Sequence, residues 1–256
     1  MTTTHSQPFD PSHVLEHHLS APRLAPYLAI AGTTADAIRL YRWGAELNGA
    51  LHQAIGHVEV AVRNSIDRQL RVWNAGRPPD LRNGVGQYSS SWIETPARPL
   101  WSLLNTKVAG GRTLSAFDTA YRRCRSSAED RPASHPRHRA AVVHDDLVAN
   151  LTFGVWLRLL PDPSAPQSKQ RVQKVLWDNA VRKAFGYHQD PDVVYFWVSR
   201  VHRLRNRVAH HEPLIDLDVQ AYHRTMVRLL RAIDPVLGDW FSGASPVPGV
   251  LRSRPV

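Results

Sequence analysis

Between residues 34 and 73 apolar side chains return mostly at steps of three and four: Ile38, Tyr41, Ala45, then Leu51, Ile55, Val58, Val62, Ile66, Leu70 and Trp73. Residues at that spacing share one face of an α-helix, so the pattern predicts a single helix of unusual length over 34–73. Thr34 and Asp36 suit its start. Arg77-Pro78-Pro79 ends it, because proline has no N–H to donate and disfavours helix at the residue before it. A helix with one long apolar stripe must bury that stripe against other elements.

The rest of the chain supplies more helices and no convincing alternation of period two, so the expected fold class is all-α, without internal repeats. Residues 1–31 hold prolines at 8, 11, 22 and 26 and read as a short helix with an irregular lead-in. Residues 74–95, rich in Gly, Pro, Asn and Ser, read as a long loop. Short helices are expected over 96–108, ended by Gly110-Gly111, and over 113–125. A polar, basic and mobile stretch is expected over 126–139. Two helical segments fit 140–160, closed by Pro161-Asp162-Pro163, and one fits 168–185. A helix over 191–211 begins at Pro191 with Asp190 as its N-cap. A last helix covers 218–240. The expected organisation is one helical domain over 32–242, followed by a frayed, flexible tail over 243–256.

Composition narrows the function classes. The formal net charge is +10, and 28 of the 32 basic residues are arginine, the lysines being Lys107, Lys169, Lys174 and Lys183. Such a surface favours polyanions. Cys124 is the only cysteine, which leaves no disulfide framework and no thiolate zinc site. The first ten residues lack the apolar stretch of a signal peptide, and no apolar run is long enough to span a bilayer. A cytoplasmic location with no membrane association is therefore expected.

Chemistry concentrates in Val201-His-Arg-Leu-Arg-Asn-Arg-Val-Ala-His-His-Glu-Pro213. On a helix Asn206 and His210 lie one turn apart on one face. Arginine holds a phosphate oxygen with a planar fork of donors, and histidine moves protons near neutral pH, so Arg205, Asn206 and His210 suit work on a phosphodiester. With about 100° per residue, Val194, Trp197, Val198, Val201, Leu204 and Val208 gather in one arc, while Arg203, Asn206 and His210 face roughly the other way. Arg205 lands inside the apolar arc, where a charge is costly unless paired. On the long helix Glu59 lies within or beside the arc of Ile55, Val58, Val62 and Ile66, with Arg63 at its edge. Opposite charges on the two core faces predict that Glu59 is largely buried and pairs with Arg205 or Arg63. Such a pair either fixes helix register or orients Arg205 toward a phosphate.

Other candidates are weaker. His13 and His17 are four apart, but no third ligand sits at metal spacing. His135 and His138 lie among Arg131, Arg137 and Arg139, a phosphate-contact stretch or an ordinary loop. Asp145-Asp146 suit a helix start. No phosphate-binding Gly-rich loop and no Gly-x-Ser-x-Gly is present.

The stretch Leu204-Arg-Asn-Arg-Val-Ala-His-His-Glu-Pro213 resembles the Arg-x(4–6)-His signature of HEPN domains, and more narrowly the Leu-Arg-Asn-x-x-x-His-His motif of the Abi-like abortive-infection family. Arg23-Leu-Ala-Pro-Tyr27, Leu40-Tyr-Arg-Trp43 with His57-Val-Glu-Val-Ala-Val-Arg-Asn64, and Asn150-Leu-Thr-Phe-Gly-Val-Trp156 resemble that family's other segments in the same order. The resemblance implies a HEPN-like helical bundle with additional helices and a metal-independent endoribonuclease needing no cofactor. It also implies a toxin or antiphage role, with two motif copies facing each other in a homodimer. Arg205, Asn206 and His210 fall on the motif as catalytic residues. Glu59, Arg63, Asn64 and His211 would support them, and Arg203 and Arg207 would contact RNA. Beyond RNA and a second copy, an antitoxin or a phage-derived trigger would be the partners.

The chemistry expected is attack by the RNA's own 2′-hydroxyl, with His210 as general base or acid and Arg205 and Asn206 opposing charge on the phosphorane oxygens. Two alternatives stand beside it: a nucleic-acid-binding or dimerising module without catalysis, and a metal enzyme using the histidines.

Overall fold

The computed structural model describes residues 12–107, 110–111 and 113–255. Pro8, Pro11 and the side chain of His13 lie outside the described residues, and the His13–His17 pairing with them. Among the described residues there are twelve α-helices and one two-stranded hairpin. The architecture is mostly helical, with no central sheet.

The long helix, α3 (Thr34–Ala75), follows α1 (Ser12–Leu19) and α2 (Ala21–Ala31). The extended Thr33 caps it, its Oγ1 accepting from the Asp36 N–H at 3.2 Å. At about 1.5 Å per residue its 42 residues run roughly 60 Å. Of its expected stripe, Ile38, Leu51, Ile55, Val58, Val62, Ile66 and Leu70 are buried, while Tyr41 is half-buried and Ala45 exposed; Leu40, Trp43 and Leu47 fill the core there instead. Beyond Gly76 the loop is pinned back onto it: buried Asn74 donates to the Ser89 and Thr95 carbonyls and accepts from the Ala97 N–H. A loop rich in Gly and Pro thus gains a fixed path from one satisfied amide.

The middle of the chain departs from expectation. Helix α4 (Leu100–Leu104) is short, and β1 (Asn105–Lys107) pairs antiparallel with β2 (Thr113–Ser115). Gly110 and Gly111, both at positive φ, allow the turn that a continued helix would have forbidden. Helix α5 (Ala116–Glu129) runs into the stretch expected to be mobile. The remainder of that stretch is knitted by turns, with His138 Nδ1 2.7 Å from the Arg131 carbonyl and Arg137 bonded to Asp146. Then come α6 (His144–Asn150), α7 (Phe153–Arg158) and α8 (Gln167–Asn179), with a tight helical turn over Val181–Phe185.

Helix α9 (Pro191–Ala209) starts as expected: the Asp190 carboxylate accepts from the Asp192 and Val193 N–H groups, and Pro191 takes the first turn. Val194, Val198, Val201, Leu204 and Val208 are buried, and the helix packs against α3 and α7. The expected last helix is two: α10 (Val219–Ile233) and α11 (Pro235–Ala244). Asp234 between them is extended, the conformation that a following proline favours, and caps α11 at the Val236 N–H. Residues expected to fray instead carry α12 (Val247–Arg252), docked by buried Val247 and by Trp43 Nε1 donating to the Val250 carbonyl at 2.7 Å. No helix among the described residues is long and apolar enough to cross a membrane.

Candidate functional site

The middle of α3, the second half of α9 and the junction between α6 and α7 converge. Helices α3 and α9 run in opposite senses: Asn48 Nδ2 donates to the Val208 carbonyl at 3.1 Å, and further along α3 Glu59 meets Arg205. The expected ion pair forms, with Arg205 Nε 3.4 Å from Glu59 Oε1. The expected deep burial does not. Glu59 keeps 29% of its side-chain exposure and Arg205 46%. The aliphatic stem of Arg205 leaves the apolar arc and carries the guanidinium toward solvent.

This pair is incompletely satisfied. At 3.4 Å it is an ion pair rather than a well-directed hydrogen bond, and Glu59 Oε1, itself buried, has no hydrogen-bond partner. Burial pushes the Glu59 carboxyl above its ordinary pKa, and Arg205, Arg63 and His52 pull it back only in part. Arg63 is half-buried and ties α3 to the end of α6 by donating to the Ala149 carbonyl at 3.5 Å. It also donates to Asn64 Oδ1 at 3.4 Å, and Asn64 is otherwise exposed.

The structure adds His202, which the sequence reading passed over. It lies three residues before Arg205, half-buried, with its ring tilted over Phe153 at 6.1 Å between centroids. Gly154 gives it room: a Cβ there would lie 3.3 Å from His202 Nε2. Burial lowers the His202 pKa, and the nearby Arg205 charge lowers it further, so the imidazole is neutral at neutral pH. The available signal was its helical spacing to Arg205.

The end of α9 is looser. The helix stops at Ala209, and His210 caps it, its N–H donating to the Asn206 carbonyl at 3.0 Å. His211 follows at positive φ. Both imidazoles are exposed and form no hydrogen bond through their rings among the described residues. Asn206 is half-buried beside Arg205, and Arg203 is exposed without an ion pair among the described residues. Arg207 is occupied within its own turn: Nη2 donates to the Pro213 carbonyl at 2.8 Å, and Nε lies 3.2 Å from Glu212 Oε2. Glu59, Arg63, His202 and Arg205 therefore come together, with Asn206 beside them, while His210 and His211 stand at the helix end. Among the described residues no three His, Cys, Asp or Glu side chains gather as a metal site.

Residues 122–234 match the family model described as Swt1-like HEPN. No curated protein and no solved structure matched the chain. HEPN domains are often associated with ribonuclease activity. The HEPN match runs from within α5 to the end of α10 and holds His202, Arg205, Asn206 and His210. It leaves out α3, so Glu59, Arg63 and Asn64 reach the site from outside the matched segment. The match names HEPN and not the abortive-infection family.

Proposed function

We propose that the chain is an endoribonuclease of the HEPN type, acting as a bacterial toxin or abortive-infection effector and cleaving RNA without a metal. The observation that carries this reading is the pairing of a half-exposed Arg205, steadied by Glu59, with a neutral imidazole three residues away, inside the HEPN-matched segment.

In this reading an imidazole takes the proton of the 2′-hydroxyl and O2′ attacks phosphorus. The bond from phosphorus to O5′ breaks, and the departing oxygen takes up a proton, leaving a 2′,3′-cyclic phosphate and a 5′-hydroxyl. Arg205 and Asn206 oppose the charge that builds on the non-bridging oxygens. His202 is in the protonation state a base requires, and His210 serves as base or acid. The two residues are eight positions apart, which places their backbones about 12 Å apart along the axis of α9 and its cap. A two-fold homodimer would add a second His210 to the cleft, since an isologous contact repeats every residue about its axis. A neutralising antitoxin or a phage-derived trigger would control such an effector in its cytoplasmic setting.

One observation favours a non-catalytic reading: no hydrogen bond among the described residues holds the His210 ring in place. The discriminating experiment incubates purified protein with total RNA in chelator and compares wild type with His202→Ala and His210→Ala. Cleavage by wild type, lost in the variants while RNA binding persists, is expected. A wild-type protein that binds RNA without cutting it, or variants as active as wild type, would overturn the proposed chemistry.

A further inference from the structure

A second cationic feature lies beside α7. A cavity of about 250 Å³ opens between the hairpin, α5 and α7. Arg123 and Arg158 line it with Thr106, Thr119, Asn150 and Thr152, and no carboxylate among the described residues is part of its lining. Arg158 is half-buried, yet the one hydrogen bond its guanidinium donates among the described residues goes to Thr106 Oγ1 at 2.7 Å. Arg123 donates only to the Asn150 carbonyl, at 3.4 Å. Neither forms an ion pair among the described residues, whereas Arg71, Arg125, Arg137, Arg205, Arg207, Arg224 and Arg231 each do. Burial lowers the Arg158 pKa with no neighbouring charge to offset it.

A partly desolvated guanidinium with most of its five donors uncommitted is costly unless an anion completes it. Guanidinium groups together with hydroxyls and an amide match the oxygens of a phosphate, and the volume, several times the roughly 30 Å³ share of a water molecule, admits one. The pocket is also placed to serve a strand lying on α9. Gly154, which backs His202, and Arg158, which lines the pocket, are four residues apart and so one turn apart on the same face of α7.

We infer that this cavity is a phosphate-binding subsite in which Arg158 and Arg123 hold a phosphate group at a position separate from the one facing Arg205. Its source is a backbone phosphate of RNA or the phosphate of a free nucleotide. The RNA source rests on the function proposed above; the pocket itself does not.

The test measures a labelled single-stranded RNA by anisotropy across a salt series, and adenosine monophosphate and inorganic phosphate by calorimetry. The proteins are wild type, Arg158→Met, Arg123→Gln and Arg205→Ala, with thermal midpoints recorded for each. Arg158→Met keeps the length of the stem and removes the charge, and the more exposed Arg123→Gln keeps the test decisive if the first variant folds poorly. Expected is RNA binding weakened about tenfold by either pocket variant, with a salt slope shallower by about one and an effect that adds to that of Arg205→Ala. Adenosine monophosphate bound by wild type and not by the pocket variants, with RNA binding unchanged, would establish the subsite with a free nucleotide as its source. RNA binding equal to wild type in both pocket variants, with no phosphate or nucleotide binding that depends on them, would overturn it. Failure of the ribonuclease reading looks different: Arg158-dependent binding would survive with no cleavage.

Discussion

Two carboxylates on one helix, Asp67 and Glu59, have opposite fates. Asp67 is buried and fully used: Oδ1 accepts from Trp92 Nε1 at 2.7 Å and contacts His144 Nε2 at 2.9 Å, while Oδ2 accepts from Arg71 Nε at 2.7 Å. Burial alone would raise its pKa, but the hydrogen bonds from His144, Arg71 and Trp92 outweigh that and hold it below the usual range. Glu59, two turns earlier, is less buried and less satisfied, and its pKa is raised. The first site spends every acceptor on joining α3, the loop after it and α6. The second leaves a cation half-exposed and a carboxyl in want of a donor. Stability is built where polar groups are closed, and recognition where they are left open.

The largest effect that would separate the two is on folding. Asp67→Ala strands the buried donors of Trp92 and His144 and takes from the partly exposed Arg71 one of its two carboxylate partners, and each abandoned buried donor costs about 1–3 kcal/mol. A loss of at least about 3 kcal/mol is expected, read as a lowered urea midpoint. Glu59→Gln should move the same midpoint by less than about 1 kcal/mol, since its ion pair is long and partly exposed and the amide keeps an oxygen in its place. Its effect should fall instead on RNA binding or cleavage, because Arg205 loses its orienting partner. Equal destabilisation by the two changes would erase the distinction.

How far the sequence exposes this contrast depends on the range of the contacts. Helices α3 and α9 were legible because a 3.6-residue period is local, and the Asp190-Pro191 start because caps are local. Glu59 with Arg205 was legible for another reason: each breaks its own helix's apolar arc, and two opposite defects predict a meeting. The Asp67 knot was not, because its partners lie 25 and 77 positions away. Helix α12 was hidden in the same way, since its anchor joins Trp43 to Val250 across 207 positions. His202 escaped because its neighbours Phe153 and Gly154 come from another helix. The split at Pro235 was written in the sequence, and a period running across it concealed the break.

A pH series sharpens the comparison through opposite signs. Asp67 has a folded pKa below its ordinary value, so its contribution is complete above about 3.9 and fades as pH falls below that. Glu59 has a folded pKa above its ordinary value, so its contribution is complete below about 4.3 and is lost as pH rises through the raised folded value. Relative to Glu59→Gln, wild type should therefore gain stability as pH is lowered from 7 toward 4.3. Relative to Asp67→Asn, it should hold its advantage across that interval and lose it only in stronger acid. Stability curves of the three proteins against pH measure both slopes, and parallel curves would break the assignment.

The smallest expected effect tests the open site most directly. In Gly154→Ala the new methyl would lie 3.3 Å from His202 Nε2, tighter than ordinary contact, so the ring must yield by a few tenths of an ångström. Two terms oppose each other in stability. Alanine within α7 gains up to about 1 kcal/mol of helix propensity over glycine. Crowding of the half-buried ring returns a comparable amount. The midpoint should therefore shift by less than about 1 kcal/mol in either direction. The imidazole, however, moves relative to Arg205 and loses part of its solvent contact, and both of those already depress its pKa. The His202 titration followed by NMR should therefore change in Gly154→Ala relative to wild type. A His202 curve unmoved by the added methyl would show that the ring is free to swing away, and would remove it as a candidate for the base.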